Sequence, residues 1–174
     1  MSPNNFPDFS IHPSQCPYPL YRIHLQSHSS TVYEERNGFT CAADTGNINI
    51  CNYTDMYGSL HNHLDWSSES PSHLISMFGT KSRAIRWARK YLVKNPGEEA
   101  LIMEIDPFNI TNSFGRRLPI LRAGEIVKEC PEFLPYWVEE SYVNDEYLAL
   151  YRIPGEAIMN VSPVLPWEFQ IGGN

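Results

Sequence analysis

The apolar runs of this chain are short. Most close after five to eight residues on proline, glycine or a polar cluster, which is the length and boundary of strands. Tyr18 to Leu25 alternates: Tyr21, Ile23 and Leu25 share one face, and Leu20, Arg22 and His24 share the other. Leu74 to Phe78 and Ala100 to Ile105 read as buried strands, the second stopped by Asp106-Pro107. The strongest late strand runs from Glu146 to Ile153, with Ala157 to Val161 pairing with it or near it, and a short strand is expected at Glu125 to Lys128. Only two windows carry helical spacing. Met56, Leu60 and Leu64 repeat every four residues in Thr54 to Leu64, with Thr54 as N-cap. Ala84, Ala88 and Leu92 do the same in a helix capped by Thr80 or Ser82 and reaching Val93. An order of strand, helix, strand, helix and then mostly strands predicts an α+β fold with short strands, not a doubly wound parallel sheet.

At 174 residues, 42% hydrophobic and 19% charged, the chain suits one compact domain. Residues 1–17 are proline-rich and read as an extended peripheral arm; residues 18–174 form the domain. Ser27 to Asn37, the turn-rich stretch Ala42 to Asn49 and Ser67 to Ser72 read as loops. Thirteen basic residues against 20 acidic ones leave a net charge of −7, so an extended DNA groove is not expected. No apolar run approaches the roughly 18 residues of a membrane span. Met1 to Ser10 lacks the pattern of a secretory signal, so no membrane partner and an intracellular, cytoplasmic setting are expected. The cysteines Cys16, Cys41, Cys51 and Cys130 are scattered without a Cys-x-x-Cys pair, and no metal site is expected from them. Whether Cys41 and Cys51 are bridged is left open.

Arg22 is the first candidate for chemistry. A guanidinium inside an apolar strand requires an anion or several acceptors, or it must reach water. A fixed fork for phosphate or carboxylate and an edge-strand arginine paired to a structural acid are both compatible with the local sequence. Glu146 opens the late strand beside a loop, a place suited to a catalytic carboxylate and equally to a solvated one. Ser76, inside the buried strand, either satisfies its hydroxyl on backbone or holds another side chain. His61, His63 and Asp65 form an H-x-H-x-D pattern, but on a helix positions two apart do not share a face, so joint metal binding requires extended backbone. Gly79-Thr80-Lys81-Ser82 lacks the earlier glycine of a phosphate-binding loop, because position 74 is leucine. The basic residues of the second helix read as a solvated face.

Taken in order, these segments resemble the Arg–Ser–Glu branch of the ADP-ribosyltransferase superfamily, closest to pierisin-like and heat-labile-enterotoxin-like domains. Leu20-Tyr21-Arg22-Ile23-His24 is similar to the family's first core strand, and Gly38-Phe39 to the glycine-phenylalanine that follows it. The helix ending at His63-Leu64 resembles the one before the second motif. Ser70-Pro71-Ser72-His73-Leu74-Ile75-Ser76 resembles that motif, with Ser76 as its principal serine. Glu146-Tyr147-Leu148 resembles the start of the glutamate-bearing strand. Relatives often carry Thr and Ser after the serine, where this chain has Met77 and Phe78, and Glu or Gln two residues before the glutamate, where it has Asn144.

The resemblance implies an α+β, ADP-ribosyltransferase-like split antiparallel β-sandwich with flanking helices. It implies a mono-ADP-ribosyltransferase or NAD glycohydrolase, with NAD as substrate and no metal, acting on an unidentified acceptor, protein or nucleobase, or on water. A non-catalytic, protein-binding version of the fold is the alternative. By this resemblance the catalytic residues are Glu146, Ser76 and Asn144. NAD falls to Arg22, Tyr21, His24, Ser76 and Phe78, and acceptor recognition to Tyr136, Trp137 and Asn144.

Overall fold

The computed structural model describes residues 6–26, 31–43, 48–65 and 70–165. Residues 1–5 of the arm, 27–30, 44–47 and 67–69 of the expected loops, and 166–174 of the domain lie outside this set.

Among the described residues, ten strands form two antiparallel sheets. The large sheet holds β1 (Ser10–Ile11), β2 (Leu20–Leu25), β5 (Leu74–Phe78), β6 (Ala100–Ile105), β7 (Ile120–Arg122), β8 (Glu146–Leu150) and β10 (Ile158–Pro163), in the order β1-β7-β8-β5-β2-β6-β10. The small sheet holds β3 (Thr31–Glu34), β4 (Gly38–Cys41) and β9 (Arg152–Ile153), with β4 central. Alternation on the strands explains the layers. Leu20, Ile75, Met77, Met103, Ile105, Ile120 and Ala149 line one face of the large sheet and bury Phe39, Cys41 and Ile153 of the small one. The other face carries the helices α1 (Tyr53–Leu64), α2 (Lys81–Lys94) and α3 (Ala123–Glu129). Met56, Leu60 and Leu64 of α1 meet Leu74, Leu148, Leu150 and α3, while Ala84, Ala88 and Leu92 of α2 cover Ile23, Leu25 and Phe78.

The large sheet is joined across its middle at one position. β2 pairs with β6 through six residues but with β5 only at Tyr21↔Phe78, so β2 and β5 part from there on. β5 pairs in full with β8, which places Phe78 opposite Glu146 and Ser76 opposite Leu148.

Several expectations are corrected. The loop at 27–37 contains β3, because Thr31 to Glu34 find partners in β4. The strand expected at Glu125 to Lys128 is helix α3, whose buried Ala123, Ile126 and Val127 follow helical spacing. α1 is capped by Asn52, whose side chain accepts from the amides of Thr54 and Asp55, and not by Thr54. The late strand breaks at Tyr151 into β8 and β9, which lie in different sheets, and β10 pairs with β6 rather than with either. The described part of the arm, residues 6–17, is not peripheral. Ser10–Ile11 pairs with β7, and Phe6, 4% exposed, stacks on Phe133 at 5.6 Å with Tyr53 edge-on at 5.7 Å. Cys41 and Cys51 are free thiols, one buried and one exposed.

Candidate functional site

Where β2 leaves β5, the guanidinium of Arg22 fills the gap. Its Nη1 donates to the Ser76 carbonyl at 2.8 Å, and Nη2 donates to Thr31 Oγ1 of the small sheet at 2.9 Å. The Phe39 ring lies 5.2 Å below it. Gly38 precedes that ring with φ +80°, and a Cβ there would strike the Ile153 carbonyl, so the glycine lets β4 and β9 close beside the arginine. Burial pulls the Arg22 pKa down to about 10, and the opposing charge of Glu146 works against that fall, so the group remains a cation at neutral pH. Two bonds satisfy only part of a five-donor fork. Among the described residues, Arg22 Nε is buried without a partner, and so is Nδ1 of His24, two residues along the same face. His24 packs between Tyr33 at 4.9 Å and Phe39 at 5.8 Å, and its pKa is lowered by burial first and then by Arg22.

Ser76 carries the connection onward. Its backbone holds Arg22, while its hydroxyl donates to Glu146 Oε1. His63 Nε2, on the last turn of α1, stands 2.6 Å from the same hydroxyl oxygen and 3.5 Å from Glu146 Oε1. The serine has one hydrogen and gives it to the carboxylate, so the bond from His63 is made by an Nε2–H donor. Side chains of His63 and Glu146 are 10% and 12% exposed, which holds the group largely out of water. The arrangement is a fixed carboxylate, oriented by a hydroxyl that is itself held by an imidazole, with a cation across the gap.

The remaining candidates fall into two groups. Tyr21, Phe78 and Glu146 stand side by side across β2, β5 and β8 on one face, so the two aromatic residues form an apolar wall next to the carboxylate. Phe78 also meets Trp87 of α2 at 6.2 Å. Asn144 lies in the turn before β8, exposed, against Gly124 of α3. Tyr136 and Trp137 are 95% and 51% exposed and touch each other edge-on at 4.5 Å, outside the core. Arg83 and Lys90 of α2 are not a free solvated face: Arg83 donates to the Ser141 carbonyl at 2.7 Å, and Lys90 to the Tyr142 hydroxyl at 3.0 Å.

His63 is the residue the sequence reading missed as a site member. The signal was present as the H-x-H-x-D pattern, but its residues diverge on the helix: His61 stacks on Tyr57 at 5.3 Å while His63 reaches Ser76.

The model of a domain of unknown function, DUF7587, matches residues 15–165, a span that includes Arg22, His63, Ser76 and Glu146. The chain belongs to the DUF7587 family. No curated protein matches it in sequence. Among solved structures, the DUF7587 domain is similar to EcPltA, an ADP-ribosyltransferase toxin, with a TM-score of 0.53 and 16% identity over 84% of this chain and 75% of that one. At that identity the likeness speaks for the fold, which is ADP-ribosyltransferase-like. No helix among the described residues is long and apolar enough to cross a membrane.

Proposed function

We propose that the chain consumes NAD, breaking the nicotinamide–ribose bond and passing ADP-ribose to a protein or nucleobase acceptor or to water. The observation that supports this most is the joining of Arg22, Ser76 and Glu146, which lie 54 and 70 positions apart in sequence, into one bonded group. Such a group puts a cation and a preoriented carboxylate on either side of a gap between strands.

The substrate supplies a glycosidic bond whose leaving group, a positively charged nicotinamide ring, departs neutral. Arg22 binds the diphosphate by charge-assisted hydrogen bonds. Its unpartnered Nε, with the unpartnered Nδ1 of His24, fits a ligand that brings its own polar atoms to this side. Tyr21 and Phe78 offer the nicotinamide an apolar wall. Glu146 accepts a hydrogen bond from the ribose and stabilises the positive charge that develops at its anomeric carbon. Ser76 and His63 hold that carboxylate in place. The acceptor then bonds to the anomeric carbon and releases its proton. Asn144, Tyr136 and Trp137 stand on the acceptor side, where exposed aromatics and an amide suit a polar, planar or proteinaceous partner.

The test is nicotinamide release from NAD and transfer of labelled ADP-ribose into cell extracts, with Glu146→Gln as control. The expected result is release by the wild type and a loss of about 100-fold or more in the variant. Equal rates in both, or none above buffer in either, overturn the reading.

A further inference from the structure

Glu146 is the first residue of its strand and follows a three-residue turn, a position where chains fray. Its carboxylate nevertheless has to stay on Ser76. We infer that Asp145 is the positioning residue that keeps it there, an inference that rests on the proposed role of Glu146.

The geometry is a clamp between the turn and the start of α2. The Gly79 amide donates to the Asp145 carbonyl at 3.0 Å, which carries the β5–β8 pairing one step beyond Phe78↔Glu146. The Asp145 side chain reaches further. Its Oδ2 accepts from the Thr80 amide at 3.1 Å and from the Thr80 hydroxyl at 3.0 Å. Thr80 is the N-cap of α2, yet its side chain makes no cap bond to its own helix, being turned to Asp145 instead. The carboxylate therefore sits at the positive end of a 14-residue helix, where a negative charge is favoured. Gly79 makes the approach feasible, because a Cβ there would collide with Asp145 Oδ1 and the Tyr147 ring. α2 is anchored in the core by Ala84, Ala88 and Leu92, so the clamp transfers the rigidity of the core to the residue next to Glu146. Arg83, in the first turn of α2, holds the same segment at the Ser141 carbonyl. A carboxylate displaced by an ångström loses most of its benefit to a reacting centre, so a residue that only fixes its neighbour is expected to show in turnover.

Simple helix capping would cost stability alone, and the experiment separates the two roles. Asp145→Ala should lower kcat for nicotinamide release about 10- to 100-fold while KM for NAD stays within about twofold. Asp145→Asn keeps an oxygen for both Thr80 donors and should recover to within about threefold of wild type. In a Glu146→Ala background, Asp145→Ala should have no further effect on the residual rate, because it acts through Glu146. Thr80→Val, which removes one of the two side-chain bonds, serves as the milder variant if Asp145→Ala does not fold, with an expected loss of about three- to tenfold. Wild-type kcat in the folded variant overturns the inference and leaves the proposed function standing. If the wild type releases no nicotinamide, the proposed function falls, and crystal structures of wild type and Asp145→Ala decide this inference: loss of the Ser76–Glu146 contact in the variant supports it, and retention overturns it.

Discussion

Replacing Ser76 with alanine removes one hydroxyl that makes two contacts. It donates to Glu146 Oε1 and accepts from His63 Nε2 at 2.6 Å. A hydrogen bond to an ionised partner is worth about 1.5–3 kcal/mol, which converts to about 10- to 150-fold in rate. The loss should fall on kcat, since Glu146 acts on charge that exists only near the transition state, while KM for NAD moves less than about threefold. His63→Ala removes a weaker bond to a neutral oxygen, about 0.5–1.5 kcal/mol, and should cost about two- to tenfold. The two effects share a path. The direct His63–Glu146 separation of 3.5 Å is too long for a strong hydrogen bond, whereas the path through the serine is short. In a Ser76→Ala background, His63→Ala should therefore cost almost nothing, giving a coupling energy as large as its single effect. The assay is nicotinamide release at saturating NAD by the wild type, both single variants and the double variant. If the two losses multiply, His63 acts on Glu146 directly and the relay through Ser76 is refuted.

Arg22→Ala should raise KM for NAD by about 10- to 100-fold with a smaller change in kcat, because the diphosphate is present before the reaction starts; rates measured against NAD concentration check this, and an unchanged KM would remove Arg22 from the binding site. Phe6→Ala should cost about 3–5 kcal/mol through the cavity left beside Phe133 and Tyr53, a fall of roughly 6–20 °C in Tm by thermal denaturation; an unmoved Tm would show the arm to be peripheral after all. His24 has its pKa lowered in the fold by burial and by Arg22, so below the ordinary histidine value the unfolded chain binds a proton that the folded chain refuses. Its contribution to stability is complete above about pH 6.5 and is lost as pH falls through the folded value. Tm should drop between pH 7 and 5, and less steeply in His24→Gln; parallel curves would refute the assignment.

What was legible in the sequence follows from how local each element's cause is. β5 and β6 have the predicted bounds, Leu74–Phe78 and Ala100–Ile105, because each is an apolar run closed by local punctuation. α3 is seven residues long, too short to display a period, and its adjacent Ile126 and Val127 favour strand by propensity; burial against α1 decides for helix. β3 is only four residues long within a polar stretch and exists because β4 pairs with it and Arg22 bonds Thr31, both non-local facts. The candidate site divides in the same way. Arg22, Ser76 and Glu146 could be singled out because each is polar in or at the end of an apolar strand. His63 could not, because its partners are brought to it by the packing of α1 on β5 and β8.

The break at Tyr151 shows how one unreadable residue determines the site. Glu146 to Ile153 looks continuous in sequence, yet Tyr151 has φ 68°, a left-handed conformation that costs a non-glycine residue about 1–2 kcal/mol. The surroundings hold it there. Its amide donates to the His73 carbonyl at 2.8 Å, its carbonyl accepts from the Cys41 amide at 2.8 Å, and its hydroxyl accepts from the Ile48 amide at 2.9 Å. These bonds tie it to the start of β5, the end of β4 and the segment before α1. A single turned residue thus carries the chain from β8 in the large sheet to β9 in the small one, where Ile153 pairs with Phe39. Phe39 in turn lies under the Arg22 guanidinium. The strand that begins with Glu146 therefore also fixes, five residues later, the sheet on which Arg22 rests. The spacing between the cation and the carboxylate is a property of that crossing, and neither side chain's local sequence contains it.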